Sequence, residues 1–157
     1  NPPLRTDEDV KSLRRALETG LIDIIATDHA PHTEDEKKVG LEKAPFGING
    51  LETALPSLLD LLVKREGFPL DRLIEALTVG PAKLLSLKSG GRIKKGELAD
   101  LTIIDLEGKT TISKETMASK SHNTPFLGAT FTGSIVMTFF SGQPVYQNKN
   151  YDKILVD

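Results

Sequence analysis

Residues 21–27, LIDIIAT, are β-prone and mostly apolar, and they lead directly into Asp28-His29-Ala30-Pro31-His32. A short apolar run of this kind fits a strand buried on both faces, as parallel sheets contain. Such a strand needs helices to cover it, and the flanking sequence supplies them. Thr6 followed by Asp7, Glu8 and Asp9 predicts a helix start, because the hydroxyl can cap and the acids suit the positive end of the helix dipole. Val10, Leu13 and Leu17 recur at helical spacing, and Gly20 supplies the stop. Further helices are predicted over 51–63 and over 69–77, the latter with Pro69 near its first turn, and a short one around 82–87. Up to residue 88 the chain reads as α/β.

The pattern then changes. From residue 89 the chain is rich in Thr, Ser, Gly, Ile and Val, and Ser89-Gly90-Gly91 marks the boundary. Strands are predicted around 101–105, 109–112, 130–140 and 145–147, with 134–140 (SIVMTFF) the most β-prone. The expected organisation is an α/β piece over 1–88 joined to a small β domain over 89–157. The 157 residues carry 20 Lys and Arg against 22 Asp and Glu, a net charge of −2 that argues against a nucleic-acid or anionic-membrane grip. No Cys is present, which excludes disulfides, Cys-ligated zinc and thiol catalysis. No apolar run approaches the roughly 20 residues of a membrane helix. The sequence has neither a glycine-rich dinucleotide fingerprint nor a P-loop. It begins Asn-Pro-Pro without Met and is read as a fragment or a processed product.

Residues 28–49 break all periodicity, and long irregular stretches inside a domain are commonly functional. Asp28 follows the apolar run, and groups at the carboxyl end of a parallel strand face the ligand crevice. It could bind a metal or act as general acid and base, or it could simply cap a turn with His29 and His32 as ordinary loop residues. Asn1-Pro-Pro-Leu-Arg5 is a rigid stretch that could present an amide and a guanidinium, or merely precede a helix. Pro45-Phe46-Gly47 could let backbone approach a ligand, or could be a plain turn with Phe46 in the core. His122 lies among Ser, Asn and Thr and reads as a hydrogen-bonding residue. The run 34–38 reads as solvated surface.

NPPLR, then ATDHAPH, then APFGINGLETALP, in that order and spacing, resemble the dihydroorotases, in the cyclic amidohydrolase branch of the metal-dependent amidohydrolases. Residues 91–101 resemble the β-strand entry of many amidohydrolases, and SHNTPFLGATFTG resembles the C-terminal sandwich of the same branch. The resemblance implies the C-terminal portion of an (α/β)8 barrel of TIM type followed by a small β-sandwich. Residues 21–27 would be the eighth barrel strand, with Asn1 just past the seventh. It further implies that Asp28 binds one Zn2+ of a one- or two-metal site and shuttles the proton. Asn1 and His32 would bind substrate, and Phe46 and Gly47 would contact the pyrimidine ring through backbone. The reaction would be the reversible interconversion of dihydroorotate and N-carbamoyl-aspartate in cytoplasmic pyrimidine synthesis.

The family's remaining ligands are an early His-x-His, a bridging lysine carboxylate or aspartate, and two later histidines. They have no counterpart here, so the chain is expected to be the C-terminal part of a longer enzyme and inactive by itself. Its expected partners are the rest of the parent chain, further copies in a homo-oligomer, and aspartate transcarbamoylase. Two other readings fit the same strings: an allantoinase or hydantoinase, and a non-catalytic dihydroorotase-like scaffold of aspartate transcarbamoylase.

Overall fold

The computed structural model describes residues 4–88 and 90–151. Asn1 lies outside the described residues. Helix α1, Asp7–Glu18, starts as its sequence predicts. The Thr6 hydroxyl accepts from Asp9 N at 3.3 Å, and the Asp9 carboxylate accepts from Thr6 N at 3.1 Å. This reciprocal cap satisfies two amides the helix cannot. Leu17 is the residue α1 buries, while Val10 and Leu13 stay exposed.

Residues 21–27 do not form a strand. A parallel strand needs a hydrogen-bonded neighbour about 4.8 Å away, and none is present among the described residues. The segment instead packs on helices. Ile25 N donates to Ala76 O at 3.1 Å, Ile22 and Ile25 join the core, and Leu21 is left 82% exposed. Regular pairing appears once, just beyond it, as a parallel bridge between His29 and Ile48 with Ala30 N donating to Ile48 O at 2.9 Å.

The predicted helix over 51–63 is divided. α3, Leu51–Leu58, holds Pro56, which has no N–H to return to the preceding turn. The chain continues as a wider π-helical segment, Leu59–Lys64. α4, Leu70–Leu77, follows Pro69 as expected, and α5 runs Val79–Leu84, a few residues earlier than predicted. Leu17, Leu59, Phe68, Leu73 and Ala76 form the main buried cluster.

The β region is a three-stranded antiparallel sheet in the order β1 (Leu101–Thr111), β2 (Thr130–Phe140), β3 (Gln143–Gln147). The two strands expected over 101–112 are one, with an irregular register between Asp105 and Lys109. Tyr151 donates to Asp105 Oδ2 at 2.7 Å beside that irregularity. β2 lies in the middle and is the most buried strand, with Ser134, Val136 and Met137 inside. A second sheet layer, which a sandwich requires, is not found among the described residues. The sheet packs directly on the π-helical segment. Leu59 covers Gly133, where φ is +113° and an added Cβ would lie 2.8 Å from Leu59 Cδ1. Asp60 Oδ1 accepts from Thr132 N at 2.9 Å.

Candidate functional site

Asp28 ends the apolar segment with φ +45°, one of three non-glycine residues in the left-handed region among the described residues, and it is exposed. That conformation costs an L-residue on the order of 1–2 kcal/mol, least for Asp and Asn. A strained carboxylate facing solvent at an element's end is a recognised mark of a functional position.

The two histidines beside it are committed differently. His29 Nδ1 accepts from Gly50 N at 3.1 Å and from Leu51 N at 3.3 Å, so the ring caps the amino end of α3. Its Nε2 meets Ser119 Oγ at 3.4 Å. His32 reaches the other loop: its Nε2 donates to Phe46 O at 3.0 Å, and its Nδ1 lies 3.8 Å from the Glu36 carboxylate.

The loop 45–47 is built from its carbonyls inward. Lys37 Nζ donates to Pro45 O and Gly47 O, each at 2.7 Å, and His32 holds the intervening Phe46 O. Three successive carbonyls are therefore consumed. The N–H groups of Phe46 and Gly47 have no hydrogen-bond partner among the described residues; Gly47 is buried and Phe46 exposed, so the Phe46 amide is the donor this loop presents at the surface. Gly47 has φ +110°, and a Cβ there would collide with Ala30 Cβ. Phe46 is 79% exposed, which overturns the alternative of a core phenylalanine.

Residues 34–37 are not merely solvated surface. They form a short helix, α2 (Glu34–Lys37), capped by Thr33 in the same reciprocal manner as α1, and this aims Lys37 at the loop. Glu34 receives Lys114 at 2.8 Å and Lys38 at 3.2 Å, and these hydrogen bonds and charges hold its carboxyl down to about 2. Glu52, in the first turn of α3, is pulled upward by burial. The hydrogen bonds from the Ser119 hydroxyl and amide outweigh that and keep it below its ordinary value.

Sequence reasoning missed the residue that joins these loops. Asn123 Oδ1 accepts from His32 N at 3.1 Å, and its Nδ2 donates to Ala30 O at 3.0 Å and Gly47 O at 3.3 Å. The single Ser121 hydroxyl proton is shared between His32 O and Asn123 Oδ1. The adjacent His122, singled out from sequence, is half-buried and makes none of these bonds; its carbonyl receives Thr124 N. Arg5 is exposed and stands apart from the group.

The donor set does not by itself fit zinc. No cluster of three or more His, Asp or Glu suited to a metal occurs among the described residues. His29 uses both ring nitrogens within the protein, and His32 spends one on Phe46 O. A catalytic zinc takes three protein ligands, and of Asp28, His29 and His32 only Asp28 is an exposed residue.

Residues 2–145 match the model of the Amidohydrolase family. The chain is 50% identical over 147 residues to a dihydroorotase of Carboxydothermus hydrogenoformans, covering 94% of this chain and 34% of that protein. It is 51% identical over 148 residues to a dihydroorotase of Brevibacillus brevis, with the same coverage. Among solved structures it superposes on an L-hydantoinase (dihydropyrimidinase) from Arthrobacter aurescens with TM-score 0.85 at 36% identity, covering 93% of this chain and 33% of that one. A dihydropyrimidinase from Brevibacillus agri superposes with TM-score 0.85 at 27% identity, covering 95% and 33%. The chain thus spans about a third of the length of the proteins it matches. With the family model matched over nearly its whole length, the chain belongs to the amidohydrolase family.

Proposed function

We propose that this chain is the C-terminal part of a dihydroorotase, in which residues 1–88 complete an (α/β)8 barrel and residues 89–157 contribute to a β-sandwich. The observation that carries the reading is the pairing of an exposed, left-handed Asp28 with a loop whose carbonyls are all turned to the protein, leaving the Phe46 N–H as a donor for a cyclic imide or amide. The dihydroorotase relatives at about 50% identity support it.

In this reading Asp28 takes a proton from the attacking water at a carboxylate oxygen and passes it to the ring nitrogen as the amide bond breaks. The order reverses in the cyclising direction. Asn1 and His32 orient the substrate. His32 does so by fixing the Phe46 carbonyl, while its Nδ1 faces the Glu36 carboxylate at 3.8 Å. The backbone of Phe46 and Gly47 contacts the ring, and the Phe46 amide receives a ring oxygen. Zinc, when bound, would be held by Asp28 together with donors outside this chain and would supply Lewis-acid polarisation of the ring carbonyl. The expected setting is the cytoplasm, with further copies or aspartate transcarbamoylase as partners.

A hydantoinase is the second reading, because the superposed structures carry that activity in their names. Turnover of the full-length protein with dihydroorotate, hydantoin and allantoin separates them. Dihydroorotate should exceed both others by at least about 100-fold in kcat/KM, the discrimination a site built on substrate hydrogen bonds achieves. Preference for hydantoin or allantoin refutes the assignment, and no turnover with any of them favours a non-catalytic scaffold.

A further inference from the structure

We propose that Asn123, contributed by the β region, is a positioning residue that sets the separation between His32 and the Phe46–Gly47 loop, and so the affinity for the ring substrate. The inference rests on the proposed dihydroorotase reading for its substrate, but on geometry for the residue.

A primary amide has two N–H donors and an oxygen with two lone pairs. In Asn123 all four are used. The oxygen takes His32 N and the Ser121 hydroxyl, and the nitrogen gives to Ala30 O and Gly47 O. The orientation is unambiguous, because a flipped amide would put NH2 against an N–H and oxygen against two carbonyls. The backbone is held as well, since Asn49 N donates to Asn123 O at 3.1 Å and Asn49 itself is fully buried. One half-buried side chain therefore spans three points: Ala30 and His32 on the segment after Asp28, and Gly47 on the loop that supplies amides. Asn123 does not carry the chemistry of either loop. It decides how far apart they stand. Displacing a positioning element by about 1 Å is enough to cost up to 100-fold in function.

Asp has the shape of Asn but only acceptors when ionised. Asn123→Asp keeps the two bonds at the oxygen and sets a carboxylate oxygen against Ala30 O and Gly47 O. Asn123→Ala removes all four.

The test measures kcat and KM of full-length wild-type, N123A, N123D, H32A and H32A/N123A proteins, with thermal melting as the control for folding. N123A should raise KM for dihydroorotate about tenfold while kcat stays within about threefold, the signature of lost ground-state and transition-state binding alike. N123D should raise it at least as much. In the H32A background N123A should add clearly less than it does alone, because the two residues act on one unit. KM within twofold of wild type in N123A, a fall confined to kcat, or full multiplicativity with H32A would overturn the proposal. So would failure of both N123A and N123D to fold, which would make Asn123 structural. Should wild type turn over hydantoin rather than dihydroorotate, the functional assignment falls, and the same split is then read on hydantoin.

Discussion

Replacing Gly47 by Ala tests whether the loop conformation is built or incidental. Two separable costs follow from the structure. The backbone at Gly47 has φ +110°, which an L-residue reaches only with strain of order 1–3 kcal/mol. The new Cβ would also lie closer than 3.0 Å to Ala30 Cβ. Carbon atoms rest at about 3.5–4.0 Å, so one loop must retreat by at least ~0.5 Å, at an overpacking cost of about 1–3 kcal/mol. The expected total is about 2–6 kcal/mol, or a loop displaced enough to raise KM. Ala30→Gly removes the colliding atom and leaves the strain untouched. In a double-mutant cycle, G47A should therefore cost about 1–3 kcal/mol less in the A30G background. The assay is denaturant unfolding of the full-length protein followed by circular dichroism, with KM measured alongside. An unchanged G47A cost in the A30G background would show that the close approach to Ala30 is not what makes glycine necessary, and a G47A cost below about 0.5 kcal/mol would refute both terms.

Asp28→Asn should lower turnover of the full-length enzyme by about 10²-fold or more with little change in melting temperature, since the amide keeps the shape and loses the base; activity within tenfold of wild type would sink the assignment. His32→Ala should raise KM roughly 2- to 10-fold by freeing the Phe46 carbonyl, the worth of one hydrogen bond of about 0.5–1.5 kcal/mol. His29→Ala should instead cost about 1 kcal/mol of stability by uncapping α3, as other cap removals do; the reverse pattern in paired kinetics and melts would contradict the site. Burial raises the Asp60 carboxyl, but the bonds from Thr132 and the Arg65 pair hold it below its ordinary value. Its contribution is therefore complete above the unfolded carboxylate pKa of about 3.9 and is lost as pH falls through the lower folded value. The stability gap between wild type and Asp60→Asn, about 2 kcal/mol at pH 7, should close on acidification, and a gap that widened below pH 4 would reverse the sign.

How much of this was legible beforehand depended on distance along the chain. The start of α1 is written in four consecutive residues, Thr6 to Asp9, and forms as they predict. β2 is likewise legible, because β-branched and aromatic residues crowd 130–140. Residues 21–27 have the composition of a strand and lack one here, because a strand is a property of a pair and no partner is present among the described residues. Asn123 was invisible for a related reason. Its partners on the two loops, Ala30, His32 and Gly47, lie 76 to 93 positions away, and nothing in an Asn between His and Thr announces them. Lys37 was hidden in a charge run that resembles any solvated surface. Only the capping of α2 by Thr33 turns it toward the Pro45 and Gly47 carbonyls.

The π-helical segment carries a consequence for how this stretch of chain can change length. Leu59 and Asp60 both engage β2 at its start, and the chain must then reach Phe68, whose N–H closes on Leu62 O at 3.0 Å and whose ring is buried in the main core. A π-helical turn closes between residues five apart and so holds one residue more than an α turn. Losing one residue from Leu59–Lys64 would let the stretch close as α-helix, with Asp60 still on Thr132 and Phe68 still at the core. Natural variants of this stretch should therefore tolerate a single-residue deletion more readily than an insertion. Longer insertions and deletions should collect around Gly40, where an added Cβ would meet nothing within 4 Å.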